Sequence, residues 1–342
     1  MAETKIEWAT HTWNPVSGCT KISTGCKNCY AERMSKRLAG RCGYPADEPF
    51  RVTLHPEKLG EPLKWKKPRK IFVNSMSDLF HDQVSDEFIA RIWWVMGQCA
   101  GYLDPTRYRG HTFLILTKRP ERMKEWLGGW RDRETRKGWI ESFGEVFDWE
   151  CGPKYWPDVL PNVWLGISVE NQTAADERIP LLLQTPAAVR FISAEPLLGR
   201  VDLEHVQFSL YTSMNVLEGC GINRRSVCQG ISNVSSNNID WVICGGESGP
   251  GARPMHPDWV RSLRDQCQAA GTRFFFKQWG EWMPAELMNV DTAVKKRYQL
   301  TTRPAGSGEI CSPWQWYKTG KREAGRLLDG RTWDEMPEVN HG

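Results

Sequence analysis

The stretch "KIFVNSMSDLFHDQVSDEFIARIWWVMGQCAGYLDPTRYRGHTFLILTKR", from Lys70 to Arg119, decides the fold that the sequence predicts. It begins with the apolar run "KIFV" and ends with "HTFLILTKR", and short runs rich in branched and aromatic residues are typical of buried strands. Between them, apolar residues recur at helical spacing from Phe88 to Met96. A strand, a helix and another strand in this order form the unit from which parallel sheets are built.

The same alternation continues towards the C-terminus. The later apolar runs are "NVWLGISVEN", "AVRFISAEP", "IDWVICGGESG" and "TRFFFKQWG", with a helix expected over about 257–270 before the last. Strands that are apolar throughout and alternate with helices indicate a parallel sheet covered on both faces. Six such strands, and one more leading into a cysteine-rich loop near the N-terminus, predict an α/β fold: a partial or full parallel (β/α) barrel.

Residues 1–342 are predicted to form one barrel domain with two interruptions. The polar segment at about 207–238, which contains Cys220 and Cys228, breaks the alternation and is interpreted as an insertion. The stretch at about 283–342 is interpreted as a loop-rich C-terminal extension, and 295–308 within it is expected to be a loop because it lacks periodicity.

Composition narrows the class of protein. A hydrophobic content of 40% and a charged content of 25% are typical of soluble globular chains. No apolar run approaches the roughly 20 residues of a membrane span, so a cytoplasmic protein without a membrane partner is expected. The net charge of +4 is mild, but basic residues cluster beside aromatic ones, which suits a nucleic-acid backbone as well as an ordinary solvated face. These clusters are "KWKKPRK" (64–70), "RDRETRKGW" (131–139) and "KKRY" (295–298).

Three cysteines, Cys19, Cys26 and Cys29, lie within eleven residues and leave three hypotheses open. A zinc site would use all three together with Cys42 or His11. A redox dithiol would use only the last two. A [4Fe–4S] cluster held by three thiolates would leave one iron open to another ligand, and the ligand count and the barrel favour this hypothesis. The scattered cysteines, among them Cys42, Cys99, Cys151, Cys244, Cys267 and Cys311, are expected to be buried apolar residues.

Polar side chains follow each of the six predicted strands. Any one of them is suited to capping a helix, but the carboxyl ends of parallel strands meet at one edge, so six in succession predict a lined cavity. These residues are Asn74, Ser75, Ser77 and Asp78; Thr117 and Lys118; Ser168, Glu170 and Asn171; Ser193 and Glu195; Glu247 and Ser248; Lys277 and Gln278.

An ordered set of motifs resembles a phage-associated family of three-cysteine proteins and, more broadly, the radical S-adenosylmethionine superfamily. A looser likeness in "LTKRP" and "GISVEN" is to spore photoproduct lyase. The chain departs from the superfamily in its Cys-x6-Cys-x2-Cys spacing, in Asn28 where an aromatic residue is usual, and in the late position of "GGESG". The motifs are "TWNPVSGCTKISTGCKNCYAE", "NSMSDLFH", "LTKRPERM", "NVWLGISVEN", "ISAEPLLG", "DWVICGGESGPGARPMHPDWVR" and "FFFKQWGEW".

This resemblance implies a barrel of the radical S-adenosylmethionine type with its cluster-binding loop near the N-terminus. It implies two cofactors, a [4Fe–4S] cluster and S-adenosyl-L-methionine, and a reductant protein such as flavodoxin or ferredoxin, in the host cytoplasm if a phage encodes the chain. The residue roles it implies are by position: Cys19, Cys26 and Cys29 on iron; Ser75, Ser77 and Asp78 on the methionine amino group; Lys118 on its carboxylate; Ser168, Glu170 and Asn171 on the ribose; Tyr30 beside adenine; and Glu195, Glu247 and Lys277 in substrate contact or proton transfer.

The resemblance also implies a substrate. Phage association and the likeness to a DNA-repair enzyme both indicate a nucleobase in DNA. The leading hypothesis is an isomerase of thymidine hypermodification that moves a glycine-derived linkage on modified thymidine from nitrogen to carbon. The alternatives are a radical repair lyase or another base-modifying enzyme, and a non-catalytic, zinc-stabilised nucleic-acid-binding protein.

Overall fold

A computed structural model of the chain describes residues 4–101, 108–142, 157–209, 212–223, 238–289, 299–303 and 314–338. Cys151, Cys228, Cys311 and the "KKRY" cluster lie outside these residues. Of the scattered cysteines that are described, Cys99, Cys244 and Cys267 are buried as predicted. Cys42 is exposed, so the prediction is wrong there: a turn in which its φ is 53° carries it to the surface.

The helices and strands lie close to the predicted segments. The helices are α1 (Tyr30–Leu38), α2 (Asp86–Cys99), α3 (Pro120–Arg131), α4 (Arg133–Glu141), α5 (Gln172–Leu183), α6 (Pro257–Ala270) and α7 (Lys321–Ala324). The strands are β1 (His11–Trp13), β2 (Val16–Ser17), β3 (Thr53–Leu54), β4 (Lys70–Val73), β5 (Thr112–Thr117), β6 (Val163–Ser168), β7 (Val189–Ala194), β8 (Val206–Ser209), β9 (Thr212–Asn215), β10 (Cys220–Asn223), β11 (Trp241–Gly245), β12 (Arg273–Gln278), β13 (Trp282–Pro284), β14 (Gln299–Arg303) and β15 (Trp314–Lys318).

Seven strands form one parallel sheet in the order β1-β4-β5-β6-β7-β11-β12. Each strand pairs with the next one of this sheet along the chain, as strands do in a barrel, and the sheet curls into a half-barrel. The predicted α/β parallel barrel is therefore confirmed in its partial form. Among the described residues, no helix combines the length and the apolar character that crossing a membrane requires.

The two faces of the half-barrel are covered differently because side chains alternate along each strand. On the outer face, Phe113 and Ile115 of β5 pack with the helices in the main core. On the concave face, Leu114 belongs to a separate, largely aromatic cluster that fills the amino-terminal half of the strands. We call this cluster the aromatic floor, and its principal members are Trp8, Trp164, Phe191, Trp241 and Phe275.

The edge strand β12 is covered by the C-terminal segment. The Phe276 amide donates to the Trp333 carbonyl oxygen over 2.9 Å, and Phe275 forms an antiparallel bridge with Asp334. Lys321 of α7 forms an ion pair with Glu7 at 3.3 Å, which joins this segment to the residues that precede β1. The C-terminal segment thus joins the two sides of the open half-barrel.

Smaller antiparallel sheets occupy the two predicted interruptions. β10-β9-β8 forms one within the segment proposed as an insertion, and β13-β15-β14 forms another within the C-terminal extension. The expected loop at 295–308 is wrong for residues 299–303, which pair with β15. Their sequence, "QLTTR", has no apolar run, and a neighbouring strand supplies the hydrogen bonds that keep it extended.

Candidate functional site

The cysteine loop, residues 18–29, connects β2 to α1 and lies across the carboxyl-terminal mouth of the half-barrel. Cys19, Cys26 and Cys29 are free thiols and half-buried. The loop leaves the sheet at Gly18, whose φ is +83° and where an added Cβ would lie 2.1 Å from the Arg51 carbonyl oxygen. Only glycine fits this backbone and this close approach, so the start of the loop is fixed.

Residues after β4 hold the segment that leads into this loop. Asn14 Oδ1 accepts hydrogen bonds from Ser75 Oγ and the Met76 amide, both at 3.1 Å. Ser77 Oγ donates to the Val16 carbonyl oxygen over 2.9 Å. Both serine hydroxyls donate their hydrogen bond to an oxygen of the chain itself. Each keeps lone pairs that can accept a hydrogen bond from a further donor.

The Asp78 carboxylate is hydrogen-bonded to the chain itself and is not an open acceptor. We call a strand-end carboxylate that is bound in this way by an arginine a brace. Its Oδ1 accepts from Thr117 Oγ1 at 2.7 Å and from the Phe80 amide at 3.1 Å. Its Oδ2 accepts from the Lys118 amide and from Arg119 Nη1, both at 3.1 Å. A carboxylate offers about four acceptor positions, so the chain fills all of them and Asp78 has none left for a ligand.

Arg119 links the Asp78 carboxylate to the cysteine loop. Its Nη2 donates to Thr20 Oγ1 at 2.9 Å, and its Nη1 lies 3.6 Å from Cys19 Sγ. Burial and, after it, the Asp78 charge raise the pKa of the Cys19 thiol, the Arg119 charge opposes both, and the net pKa is about 11. Arg119 was not among the predicted site residues, although it lies in the "LTKRP" motif directly after β5.

Cys26 has the opposite electrostatic balance. Burial is the largest influence and raises the pKa of its thiol, but the backbone of Ile22, the Lys118 charge and hydrogen bonds from Ser23 together lower the pKa below its usual value. Ser23 Oγ lies 3.6 Å from Cys26 Sγ. The loop therefore stabilises a thiolate at this position.

Glu170 and Arg178 form a second brace, after β6. Arg178 Nη1 donates to Glu170 Oε2 at 2.8 Å and to the Ser168 carbonyl oxygen at 2.7 Å. A Cβ on Gly25 of the cysteine loop would lie 3.2 Å from Glu170 Oε1, so loop and carboxylate are in close contact. Burial, the largest influence, raises the pKa of Glu170, but Lys118, Ser23 and Arg178 outweigh it and the pKa is lowered.

Asn171, the neighbour of Glu170, has a local role. Its Oδ1 accepts from the Ala174 amide at 3.0 Å and caps α5. The resemblance implied that Asn171 holds a ribose; in the structure this acceptor is occupied by the helix.

Glu247 and Arg253 form a third brace, after β11. The Arg253 guanidinium binds the carboxylate through two nitrogens, Nε at 2.9 Å and Nη2 at 2.7 Å, and its Nη1 donates to the Thr24 carbonyl oxygen at 3.1 Å. Asn28 Nδ2 donates to Glu247 Oε2 at 3.0 Å. The "GGESG" motif therefore fixes the residue that precedes Cys29. Arg253 was not predicted, because nothing in its local sequence indicates a contact with a loop more than 200 residues earlier.

Glu195 and Lys277 form an ion pair that, among the described residues, makes no hydrogen bond or ion pair with the cysteine loop. Lys277 Nζ lies 3.1 Å from Glu195 Oε1, and Ser193 Oγ donates to Glu195 Oε2 at 3.3 Å. Both side chains face inward above the aromatic floor, with Gly245 between their strands. An added Cβ at Gly245 would lie 2.7 Å from Glu195 Oε1, so glycine makes room for the pair.

The strand-end residues to which the resemblance assigns roles therefore divide into two groups. The first holds the cysteine loop or a helix and comprises Ser75, Ser77, Asp78, Glu170, Asn171 and Glu247. The second faces the concavity with polar atoms less committed to the chain and comprises Lys118, Ser168, Glu195 and Lys277. Lys118 Nζ approaches Glu170 Oε2 only to 4.0 Å, which is too long for a hydrogen bond. Tyr30 belongs to neither group, because it is 58% exposed and holds neither the loop nor a helix through a hydrogen bond in the described part of the chain.

The sulfur positions bear on the zinc hypothesis. Within the described ranges, the group of three possible metal ligands whose ligand atoms all lie within 4.8 Å of one another is Asp202, Glu204 and His205. The sulfurs of Cys19, Cys26 and Cys29 are therefore spread more widely, whereas sulfurs on one tetrahedral zinc ion lie about 3.8 Å apart. This spacing disfavours a preformed zinc site.

The family described as "Protein of unknown function (DUF5131)" matches residues 3–337. No curated protein and no solved structure matches the chain.

Proposed function

We propose, from the premise that this chain belongs to the DUF5131 family, that it is a radical S-adenosylmethionine enzyme that modifies a nucleobase in DNA. One observation carries the proposal: a loop with three free, half-buried cysteines lies across the carboxyl-terminal mouth of a parallel half-barrel. In parallel barrels this mouth is where catalytic side chains gather. Three thiolates there satisfy three irons of a [4Fe–4S] cluster and leave the fourth for a ligand.

The surroundings of the cysteines fit such a cluster. Arg119 Nη1 and Ser23 Oγ each lie 3.6 Å from a cysteine sulfur. Donors at ligating sulfurs are typical of iron–sulfur sites, where they orient the ligands and tune the potential. The three braces hold the loop through protein contacts alone, so its backbone is positioned before iron arrives.

The described side chains have distinct parts in this proposal. When bound, a reduced [4Fe–4S] cluster and S-adenosylmethionine would together supply the one-electron chemistry that removes a hydrogen atom from the substrate. Lys118 binds the cofactor carboxylate, and Ser168 binds a ribose hydroxyl. Ser75 and Ser77 accept from the amino group with their remaining lone pairs. A flavodoxin or ferredoxin supplies the electron.

Glu195 and Lys277 act on the substrate side. Their ion pair is inward-facing, partly water-accessible and independent of the cysteine loop, with side-chain exposures of 15% and 18%. A carboxylate and an ammonium in contact suit proton transfer and the binding of a charged substituent. The substrate assignment, a glycine-derived linkage moved from nitrogen to carbon on modified thymidine, is supported by the resemblance of the motifs.

The cofactor is tested by anaerobic reconstitution with iron and sulfide. The wild-type chain should turn brown, bind about four irons and cleave S-adenosylmethionine when reduced, and the Cys19→Ala/Cys26→Ala/Cys29→Ala variant should do none of these. A colourless wild-type chain with one zinc per chain would instead support the nucleic-acid-binding alternative.

The reaction is tested with glycine-modified DNA. The reduced enzyme and S-adenosylmethionine should convert the nitrogen-linked nucleoside to the carbon-linked isomer, identified by mass spectrometry and NMR after digestion. Cofactor cleavage with an unchanged nucleoside would exclude this substrate and leave a repair lyase or another base-modifying radical enzyme.

A further inference from the structure

The segment formed by the cysteine loop, α1 and the residues that follow is strongly basic. Residues 18–42 carry six basic side chains (Lys21, Lys27, Arg33, Lys36, Arg37 and Arg41) against the single acidic Glu32, a net charge of +5. Glu32 is already shared by Lys21 at 2.7 Å and Lys36 at 2.9 Å. For Lys27, Arg37 and Arg41, which are all exposed, no carboxylate lies within ion-pair distance in the described part of the chain. Their charge is therefore open to an anionic partner.

An aromatic ring lies among these charges. Tyr30, the residue after Cys29, is 58% exposed, and Ile22 on the same loop is 48% exposed. Tyr30 and Arg37 are seven residues apart on α1, which places them on the same side of the helix, about 10 Å apart along its axis. That distance is roughly three stacked base steps of about 3.4 Å each. We call Lys27, Tyr30, Arg37 and Arg41 the α1 rim.

The basic clusters that the sequence analysis singled out lie at the other end of the half-barrel. "KWKKPRK" leads into the first residue of β4, and therefore lies at the amino-terminal edge of the sheet. "RDRETRKGW" begins where α3 ends, and α3 starts beside the mouth and runs back towards the same edge. The strands between the two edges are up to six residues long, about 20 Å, so these clusters are remote from the mouth.

We propose that the α1 rim binds an unpaired stretch of nucleic acid beside the nucleotide that enters the mouth. Lys27, Arg37 and Arg41 contact phosphates, and the Tyr30 ring stacks on a base. The inference rests on the proposed function only in taking the substrate to be a nucleic acid. Alternating cations and an exposed ring match the alternating phosphates and bases of an unpaired strand.

The test measures binding of a fluorescent single-stranded oligodeoxythymidine of roughly 20 nucleotides by anisotropy, with iron–sulfur-reconstituted protein. Lys27→Glu/Arg37→Glu should weaken binding at least about 10-fold. It should also reduce the slope of log affinity against log salt concentration by more than about one. Tyr30→Ala should weaken binding about 5- to 100-fold, and Tyr30→Phe should restore it. The matched control is Lys66→Glu/Lys67→Glu at the opposite edge, which should bind like wild type.

Other results overturn the inference. Unchanged affinity in both rim variants, or a loss confined to the control variant, would place the strand elsewhere. If the rim variants no longer bind a flavodoxin but still bind the oligonucleotide, the α1 rim is a docking surface for an acidic protein. All rim positions are exposed, and circular dichroism verifies that each variant is folded.

Failure of the inference is distinguishable from failure of the proposed function. The triple cysteine-to-alanine variant should still bind the oligonucleotide, because the rim lies outside the thiols. A wild-type chain that binds the strand through the α1 rim but never cleaves S-adenosylmethionine would refute the proposed function and leave the inference about the rim intact. If the wild-type chain cleaves S-adenosylmethionine and the rim variants bind the oligonucleotide as tightly as wild type, the inference about the rim is refuted and the proposed function is not.

Discussion

At the scale of single residues, the strand-end carboxylates differ in what they hold. Glu247 accepts from Arg253 through two guanidinium nitrogens and from Asn28, so its charge fixes the residue before Cys29. Glu247→Gln should lower the free energy of unfolding by about 2–3 kcal/mol, because it leaves a partly buried arginine without its partner. Urea denaturation measures the loss. Glu121→Gln, on the exposed side of α3, is the control and should change stability by less than about 0.5 kcal/mol.

Glu195 makes a different prediction because it faces the concavity and does not support the cysteine loop. Glu195→Gln should retain the iron content of the reconstituted wild type and lower product formation about 10²- to 10⁴-fold, as expected when a proton-transferring group is lost. Iron and sulfide assays are compared with product quantified by mass spectrometry. A variant that loses iron would show that Glu195 supports the loop after all.

His111 makes the stability depend on pH. Burial lowers the pKa of His111 to about 4, below the value of about 6.5 expected in the unfolded chain. Between pH 6.5 and 4 the unfolded state therefore binds a proton on this imidazole, whereas the native state does not. The free energy of unfolding decreases as pH falls through this range, by up to about 3 kcal/mol. Urea titrations at neutral and mildly acidic pH should show a smaller acid loss in His111→Gln than in wild type. An equal loss in both would contradict this account, and the exposed His205→Gln is the control.

At the scale of elements, periodicity predicts the strands of the main sheet and misses the small antiparallel ones. β6 and β11 are buried along their length, because both faces of the sheet are covered. β9 reads "TSMN" and β14 reads "QLTTR", and such short polar strands owe their conformation to hydrogen bonds from a neighbour. The sequence also does not reveal which face of β5 meets the helices, since Phe113 and Leu114 are equally apolar.

The packing of β6 against β7 depends on one missing side chain. A Cβ on Gly166 would lie 2.3 Å from the Phe191 ring, within the aromatic floor. Gly166→Ala should therefore cost about 1–3 kcal/mol of stability through overpacking. Gly138→Ala is the matched control, because an added Cβ there meets nothing within 4 Å and alanine favours the α4 helix, so stability should rise by up to about 1 kcal/mol. Thermal unfolding compares the two, and equal effects would refute the packing argument.

At the scale of the whole molecule, the sequence predicts where the site lies but not how it is supported. The polar residues after each strand were visible, because strands of one parallel sheet end at the same edge. The braces were not, because each joins distant segments: Arg119 reaches Thr20 across 99 residues, and Asn28 reaches Glu247 across 219. Such pairs exist only once the half-barrel has curled, so no local pattern announces Arg119 or Arg253.

The braces also predict that the metal-free chain is folded. Arg119, Glu170 and Glu247 hold the cysteine loop through protein contacts alone, unlike zinc-finger domains, which unfold when their metal is removed. The triple cysteine-to-alanine variant should keep the far-ultraviolet circular dichroism of wild type and one cooperative unfolding transition. A non-cooperative or largely unfolded variant would show that the metal, rather than the braces, organises the mouth.

The separation of 219 positions between Asn28 and Glu247 also has a consequence during synthesis. A ribosome adding about 5–20 residues per second needs roughly 10–40 s to progress from one to the other. For that interval the three thiols have left the tunnel without the arginines and carboxylates that later position them. Selection of the correct metal therefore falls to the finished chain, and a nascent chain stalled before β11 would present an unguarded, indiscriminate chelator to the cell.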